Sequence, residues 1–374
     1  MMVTSLLRTR SGGQQATTNT LAIFSSIPDI ASSLQRAAPP TTLRLDIIED
    51  PALHKCGGTV TMFDATKLTE ETRQRLASAE ALVTEPAVLA QILQQNPQAF
   101  PRLQWCQSTY AGVDPLFDAA AAAADNDAND DVDLQLPLSF TLTRFAGKFG
   151  PPIAEWCLAR IIGHERNFAL STADQRRSEW ADHSRQVRKY RYLSDLTVTI
   201  LGGSGDIGSC IGRAAQVFGM RVVGFGKTPR NCKDIQEGID EYTTDLTAAL
   251  QQGDYIVSVL PSTRHTRGLL DNHALRSVKK GAVFLNVGRG DVVSEKSLIS
   301  ALDEGFLSAA ILDVFSTEPL PKTSPLWSRK DVVVSPHVSG VTRAEDVPAV
   351  VLENYRRFSQ GEELLYKVDW SKGY

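Results

Sequence analysis

The chain has 374 residues, of which 42% are hydrophobic and 22% charged, the proportions of an ordinary globular protein with room for two domains. A formal net charge of -4 and a pI near 5.9 provide no overall basic surface, which argues against nucleic acid as a partner. No uninterrupted apolar stretch approaches the roughly twenty residues that a membrane-spanning helix needs, so no membrane partner is expected.

The five cysteines are far apart and show neither a CxxC pair nor a cysteine and histidine spacing typical of metal sites. They are Cys56, Cys106, Cys157, Cys210 and Cys232. Their odd number and wide spacing indicate a reducing compartment, and we predict no metal centre. Cys210 follows a glycine-rich turn near a predicted helix N-terminus, which can stabilise a thiolate, although a small packing residue is the favoured interpretation.

The first twenty residues contain Arg8 and Arg10, several serines and threonines, and no acid. Such a composition suits either an organellar transit segment or a disordered extension. The extension is favoured because basic residues are few and the segment is not clearly amphipathic. The compartment therefore stays open between the cytosol and a mitochondrion or plastid.

Strand and helix patterns alternate through the first part of the chain, which indicates an α/β domain. Strands are predicted at 21–26, 42–48, 81–84, 103–108 and 139–145, with helices at 27–38 and 87–95. At 107–114 a strand ends in small residues. Their backbone N–H groups can bind an anion, and the alternative interpretation is an ordinary strand-to-helix turn. The six alanines at 119–124 and the acidic run that ends at Asp133 predict an inserted surface loop extending a helix.

A long buried helix is predicted at 153–168, after two prolines, and is expected to bridge two domains. Glu155 lies on its apolar stretch and is interpreted as a buried structural acid paired with a neighbour. The segment 176–192 is rich in arginine and aromatic residues and lacks helical spacing. We therefore predict a surface loop there.

The stretch 196–230 organises the second half of the chain, because its pattern predicts a strand, a glycine turn, a helix and a second strand. Gly203, Gly205 and Gly208 form a GxGxxG pattern. Their missing Cβ atoms allow a tight turn, a close approach to a pyrophosphate and close helix packing. The helix N-terminus then offers N–H donors to the phosphates, so this stretch predicts a dinucleotide site.

The residues after this stretch predict a doubly wound parallel sheet. Strands are predicted at 255–260, 282–287, 309–314 and 332–334, with helices at 244–252, 271–277 and 295–304. In such sheets ligands bind beyond the carboxyl ends of the strands. Polar residues that directly follow a strand are therefore the first candidates for a site.

Arg289, Glu318 and His337 each follow one of these strands and together suit one reaction. An arginine can pair with a substrate carboxylate and polarise its carbonyl group. A histidine can donate a proton to the carbonyl oxygen as a hydride arrives, and a glutamate beside the imidazole favours its protonated form. The set predicts hydride transfer to a 2-oxo acid.

Six short motifs accompany these residues: VSVLPSTRHTRGLL at 257–270, NVGRG at 286–290, LDVFSTEPLP at 312–321, SPLW at 324–327, SPHVSGVT at 335–342 and VDWSKGY at 368–374. With the glycine turn, they resemble the signatures of the D-isomer-specific 2-hydroxyacid dehydrogenases. The resemblance extends from Leu103 to Tyr374 and implies an NAD(P)-dependent oxidoreductase that acts on a small 2-oxo or 2-hydroxy acid.

The resemblance implies two doubly wound, Rossmann-like α/β domains with the active site in the cleft between them. A nucleotide-binding domain at 153–340 would be inserted into a flavodoxin-like catalytic domain at 21–152 and 341–374. Arg289, Glu318 and His337 match the family's catalytic residues, and Ala111 and Gly112 match its carboxylate-binding backbone. A homodimer formed through the cofactor domains is also implied. The expected cofactor contacts are Gly203, Ser204, Gly205, Asp206, Ile207, Gly208, Leu260, Pro261, Val287, Gly288, Asp313, His337 and Gly340.

Two features depart from the family pattern. The turn has one glycine more than the pattern needs, so either Gly202 or Gly203 could be its first glycine. The acid expected about twenty residues later, which binds the ribose hydroxyls of NAD, is missing. Lys227 and Arg230 stand there instead and can pair with a 2′-phosphate, and Thr228 can donate to it. We predict NADP(H) as the preferred cofactor, with NAD(H) as the alternative if this basic turn is only a solvated surface.

An NADP-type turn combined with the Arg, Glu and His set most resembles the glyoxylate and hydroxypyruvate reductases. This predicts reduction of a small 2-oxo acid to its D-2-hydroxy acid, while pyruvate, phenylpyruvate-like and longer acids stay open as substrates. The alternative function is an NAD(P)-sensing, corepressor-like protein on the same fold, whose docking segments would be the leader and the acidic insert. A turnover assay separates the two.

Overall fold

The computed structural model describes residues 19–38, 43–54, 63–125, 136–180, 189–230 and 237–373. The chain divides into two compact units, residues 1–146 with 342–374 and residues 147–341. The second unit is one continuous stretch that interrupts the first. Residues 1–18 of the proposed leader and the acidic run after Asp125 lie outside the described residues, and Thr20 already belongs to the first strand.

The first unit is built on a five-stranded parallel sheet in the order β2-β1-β3-β4-β5, the order of flavodoxin-like sheets. Its strands are β1 (Thr20–Phe24), β2 (Arg44–Ile47), β3 (Ala81–Thr84), β4 (Trp105–Ser108) and β5 (Thr141–Thr143). The helices between them are α1 (Ile30–Ala37), α2 (Pro51–His54), α3 (Glu70–Ser78), α4 (Pro86–Gln95) and α5 (Asp114–Asp125). The predicted alanine run lies within α5.

The second unit contains a seven-stranded parallel sheet in the order β8-β7-β6-β9-β10-β11-β12. Its strands are β6 (Thr197–Leu201), β7 (Arg221–Phe225), β8 (Glu241–Thr243), β9 (Tyr255–Ser258), β10 (Ala282–Asn286), β11 (Leu307–Leu312) and β12 (Val332–Val334). Its helices are α6 (Gly150–Glu165), α7 (Phe168–Arg176), α8 (Asp206–Val217), α9 (Leu246–Leu250), α10 (Asn272–Arg276) and α11 (Glu295–Asp303). The chain then returns to the first unit, where α12 (Val347–Gln360) packs on α1.

The strand order of the second unit places a topological switch point between β6 and β9, where chain connections leave in opposite directions. All five residues of β10 are buried, as expected for a parallel strand covered by helices on both faces. Every strand predicted from the sequence is present. The short edge strand β8, with the sequence EYT, was missed because three half-buried residues carry little apolar pattern.

The predicted burial of Glu155 is wrong, because this residue lies on the exposed face of the amphipathic helix α6. The buried acid of α6 is Glu165, its last residue, which forms an ion pair with Arg191 and accepts a hydrogen bond from the Tyr255 hydroxyl at 2.7 Å. The helix predicted to extend to residue 168 ends at Glu165, since Asn167 adopts a left-handed conformation (φ 50°) before α7 begins.

Cys210 has a packing role between α6 and α8. A Cβ atom added to Gly150 would lie only 2.5 Å from the Cys210 Sγ atom, so the two helices approach closely at this point. Burial raises the pKa of the Cys210 thiol, despite the nearby charge of Arg213. The thiol is therefore kept protonated, and the favoured interpretation from the sequence agrees with the structure.

Candidate active site

The glycine turn connects β6 to α8 at the switch point of the second unit. Gly202 takes up the sharp turn with φ +94°. A Cβ atom on Gly203 would lie 2.8 Å from the Gly224 Cα atom, and one on Gly208 would lie 2.5 Å from the Gly202 carbonyl oxygen. Gly205 is exposed at the N-cap of α8, with room around it. Both positions therefore require glycine, Gly202 for its backbone conformation and Gly203 for its close packing.

The basic turn follows β7 and lies beside the glycine turn. A Cβ atom on Gly226 would be 3.4 Å from the Ser204 hydroxyl oxygen, which places the two turns in contact. Lys227, Thr228 and Arg230 are exposed. Cationic and hydroxyl groups are thus presented next to the N-terminus of α8, where a phosphate group is favoured.

The loop after β10 is held by a buried asparagine and by close packing. The Asn286 side chain accepts a hydrogen bond from the Gly288 N–H at 3.2 Å and donates one to the Arg289 carbonyl at 2.9 Å. A Cβ atom on Gly288 would lie 2.6 Å from the Leu260 carbonyl oxygen, so this loop packs directly against the loop after β9. These contacts position the backbone from which the Arg289 side chain projects.

The loops that carry Arg289 and Glu318 are also in direct contact. A Cβ atom on Gly290 would lie 1.9 Å from the Phe315 carbonyl carbon, so only glycine fits there. The Ser316 hydroxyl donates a hydrogen bond to the Gly290 carbonyl at 3.2 Å. Because β10, β11 and β12 are neighbours in the sheet, the structure brings the predicted catalytic side chains to one edge of the second unit.

Glu318 and His337 are hydrogen bonded, with 2.8 Å between Oε2 and Nδ1. The other carboxylate oxygen accepts a hydrogen bond from the Phe315 N–H at 2.9 Å. Burial raises the pKa of Glu318, but the hydrogen bond and charge of His337, the Phe315 N–H and the charge of Arg289 outweigh burial, and the pKa is lowered. The carboxylate therefore stays ionised in the neutral range and orients the imidazole so that Nε2 is left for chemistry.

Replacing Glu318 with glutamine should lower kcat about 10- to 100-fold near neutral pH, because the amide keeps a hydrogen bond but no longer stabilises an imidazolium ion. Since the pKa of Glu318 is lowered, the wild-type carboxylate stays ionised until the pH falls through that lowered value. The deficit of the variant should shrink toward acidic pH, where protonation of Glu318 removes the charge that distinguishes the wild type from the variant. The kcat profile against pH checks this, and a ratio that stays constant across pH would contradict it.

Asp313 organises the loop that carries His337. Its fully buried carboxylate accepts hydrogen bonds from the Ser335 hydroxyl at 2.6 Å, the Val338 N–H at 3.0 Å and the Ser339 N–H at 2.8 Å. The Asp313 carbonyl accepts a further bond from the His337 N–H at 2.8 Å. His337 itself has φ 53°, a strained conformation that this network maintains.

The remaining predicted residues fall into two groups. Ala111 and Gly112 follow β4 in the first unit and are half-buried, in a loop that the Ser108 hydroxyl ties to both the N–H and the carbonyl of Tyr110. The other group lies in the second unit. It comprises Asp206 and Ile207 in the first turn of α8, Leu260 and Pro261 after β9, Val287 after β10, and Gly340, whose Cβ would lie 2.7 Å from Ile153.

The sequence analysis did not predict that Asn286 and Asp313 position the neighbouring loops. Both residues lie in motifs that were recognised, and a polar residue at the end of an otherwise apolar strand could have indicated such a positioning role.

Among the described residues, no group of three or more histidine, cysteine, aspartate or glutamate side chains could hold a metal ion. In the same part of the chain, no helix combines the length and apolar character needed to cross a membrane.

Comparison with a family model identifies the second unit. Residues 158–339 match the model described as "D-isomer specific 2-hydroxyacid dehydrogenase, NAD binding domain". This range contains the glycine turn, the basic turn and the three predicted catalytic side chains.

Comparison with solved structures extends the similarity to nearly the whole chain. A D-isomer specific 2-hydroxyacid dehydrogenase family protein from Aeromonas salmonicida has 32% sequence identity and a TM-score of 0.74, with 94% of this chain and 99% of that chain covered. A D-isomer specific 2-hydroxyacid dehydrogenase from Xanthobacter autotrophicus, in complex with NADPH and MES, has 27% identity and a TM-score of 0.71, with 95% and 99% covered. An NADPH-dependent glyoxylate/hydroxypyruvate reductase from Sinorhizobium meliloti, in complex with NADP and sulfate, has 25% identity and a TM-score of 0.73, with 96% and 100% covered.

Proposed function

We propose that this chain, which belongs to the D-isomer specific 2-hydroxyacid dehydrogenase family, reduces a small 2-oxo acid of the glyoxylate or hydroxypyruvate type to the D-2-hydroxy acid with NADPH. The observation that carries the proposal is the Glu318 and His337 pair, 2.8 Å apart, beside the loop of Arg289. A cation for the carboxylate and a proton donor for the carbonyl oxygen are what this reduction needs.

Each group contributes one part of the proposed reduction. Bound NADPH supplies the hydride for the carbonyl carbon. Arg289 pairs with the substrate carboxylate and polarises the carbonyl group. His337 holds a proton on Nε2 and transfers it to the carbonyl oxygen, while Glu318 accepts the hydrogen bond from Nδ1 and stabilises the imidazolium. Asp313 keeps the His337 loop in place.

The second unit fits a 2′-phosphorylated dinucleotide. Gly205 leaves the N-terminus of α8 open for the pyrophosphate, and no acidic residue lies between Gly226 and Arg230 to repel a 2′-phosphate. Lys227 and Arg230 supply positive charge beside the glycine turn. Two of the similar proteins, at 27% and 25% identity, are solved with NADPH or NADP bound. NADP(H) is therefore the proposed cofactor, and NAD(H) the weaker one.

Initial rates with NADPH and NADH against glyoxylate, hydroxypyruvate, pyruvate and phenylpyruvate test the proposed function. Rapid oxidation of NADPH with glyoxylate or hydroxypyruvate is the expected result. Faster turnover of pyruvate or phenylpyruvate would correct the substrate class. An absence of turnover with all four acids, despite tight binding of NADPH, would favour the NAD(P)-sensing, corepressor-like alternative.

A homodimer formed through the second unit is also proposed. The segment between α6 and β6 exposes several large aromatic side chains, among them Phe168 and Trp180, of which 56% and 94% are exposed. Exposed aromatic residues on one segment are typical of protein interfaces. Light scattering should give a mass about twice the 40.8 kDa of the chain. Trp180→Glu should shift that mass toward the monomer, and a wild-type mass equal to one chain would contradict the proposal.

A further inference from the structure

Tyr242, on the edge strand β8, is attached to the basic turn. Its hydroxyl group donates a hydrogen bond to the Thr228 carbonyl at 3.1 Å. The Gly226 N–H also donates to the carbonyl of the neighbouring Thr243 at 3.3 Å. The end of β8 therefore holds the turn at two points, just before and just after Lys227.

The same tyrosine occupies the space above Gly226. A Cβ atom at this position would lie 2.3 Å from the Tyr242 hydroxyl oxygen and 3.3 Å from its Cζ atom. Gly226 directly follows β7, in the segment where a dinucleotide-binding sheet that uses NAD carries its ribose-binding acid. A carboxylate side chain at 226 cannot be accommodated while the phenol is in place.

We infer that Tyr242 is a positioning residue that selects the 2′-phosphorylated dinucleotide: it fixes the turn of Lys227, Thr228 and Arg230 and keeps position 226 free of a side chain. The inference rests on the proposed use of NADPH. It predicts an effect on the phosphorylated cofactor alone, because NAD has no group that requires the ordered basic turn. A tyrosine that only stabilised the edge strand would affect both cofactors equally.

Calorimetric titration of Tyr242→Phe with NADP⁺ and with NAD⁺ tests this inference. Loss of one hydrogen bond should raise the Kd for NADP⁺ about three- to tenfold, while the Kd for NAD⁺ changes less than about twofold. Tyr366→Phe removes an exposed phenol from the first unit, outside the proposed dimer interface, and serves as the control, with no change for either cofactor. An unchanged Kd for NADP⁺, or an equal rise for both cofactors, would overturn the inference.

A second set of variants tests the contact between positions 226 and 242. Gly226→Ala should weaken NADP⁺ binding, because the new methyl group displaces the Tyr242 hydroxyl from Thr228. The double variant G226A/Y242F should bind NADP⁺ about as well as Tyr242→Phe alone, since the hydroxyl oxygen that clashes is gone. Additive losses would contradict the proposed contact, and thermal unfolding verifies that each variant is folded.

These titrations do not depend on turnover, so the two proposals can fail separately. Selective loss of NADP⁺ binding in Tyr242→Phe would uphold the inference even if none of the 2-oxo acids is reduced. Conversely, rapid reduction of glyoxylate with equal effects on both cofactors would uphold the reaction and overturn the role of Tyr242.

Discussion

Replacing His337 with alanine should lower kcat for reduction of the 2-oxo acid about 10²- to 10⁴-fold, while the Kd for NADPH stays within about twofold. The imidazole is the proposed donor of the proton to the carbonyl oxygen, and its 2.8 Å bond to Glu318 keeps it oriented for that transfer. Steady-state kinetics at saturating NADPH, together with a cofactor titration, measure the two quantities independently.

The conformation of His337 calls for a second variant. Its φ of 53° lies in the left-handed region, where alanine is strained and asparagine is tolerated. His337→Asn therefore removes the proton donor with little backbone strain, and a similar loss in both variants would assign the effect to the missing imidazole. His273→Ala, an exposed histidine on α10, is the control with unchanged kinetics. A His337→Asn enzyme with the wild-type rate would remove His337 as the proton donor.

Reversing the charges of the basic turn with K227E/R230E should raise the KM for NADPH about 100-fold or more, and that for NADH less than about threefold. Each cation can form a charge-assisted hydrogen bond with the 2′-phosphate, and each new carboxylate repels it, whereas NADH has hydroxyl groups at that position. Initial rates at fixed 2-oxo acid and varied cofactor give both constants.

The control for this variant carries the same change of net charge elsewhere. K296E/K330E reverses two exposed lysines of the second unit, away from the glycine turn, and should leave the ratio of the two KM values unchanged. If K227E/R230E instead weakened NADPH and NADH equally, the turn would be a solvated surface without a role in choosing the cofactor.

Much of the fold and the candidate site followed from local sequence. Parallel strands covered on both faces need short continuous apolar runs, and these runs stand out at β6, β9, β10 and β11. The carboxyl ends of parallel strands meet at one edge of a sheet, so Arg289, Glu318 and His337 could be grouped without coordinates. The missing acid and the basic residues after β7 likewise predicted the preferred cofactor from sequence alone.

The sequence by itself therefore determined the order of all described strands except β8, the family and the side chains proposed to carry the chemistry. Only the tertiary structure decided which residues hold them in place. Glu165 rather than Glu155 is the buried acid, Asp313 binds the loop of His337, and Tyr242 contacts Thr228 across two strands. The physical reason is that apolar runs and turn residues act locally, whereas burial and hydrogen-bond partners depend on segments far apart in the chain.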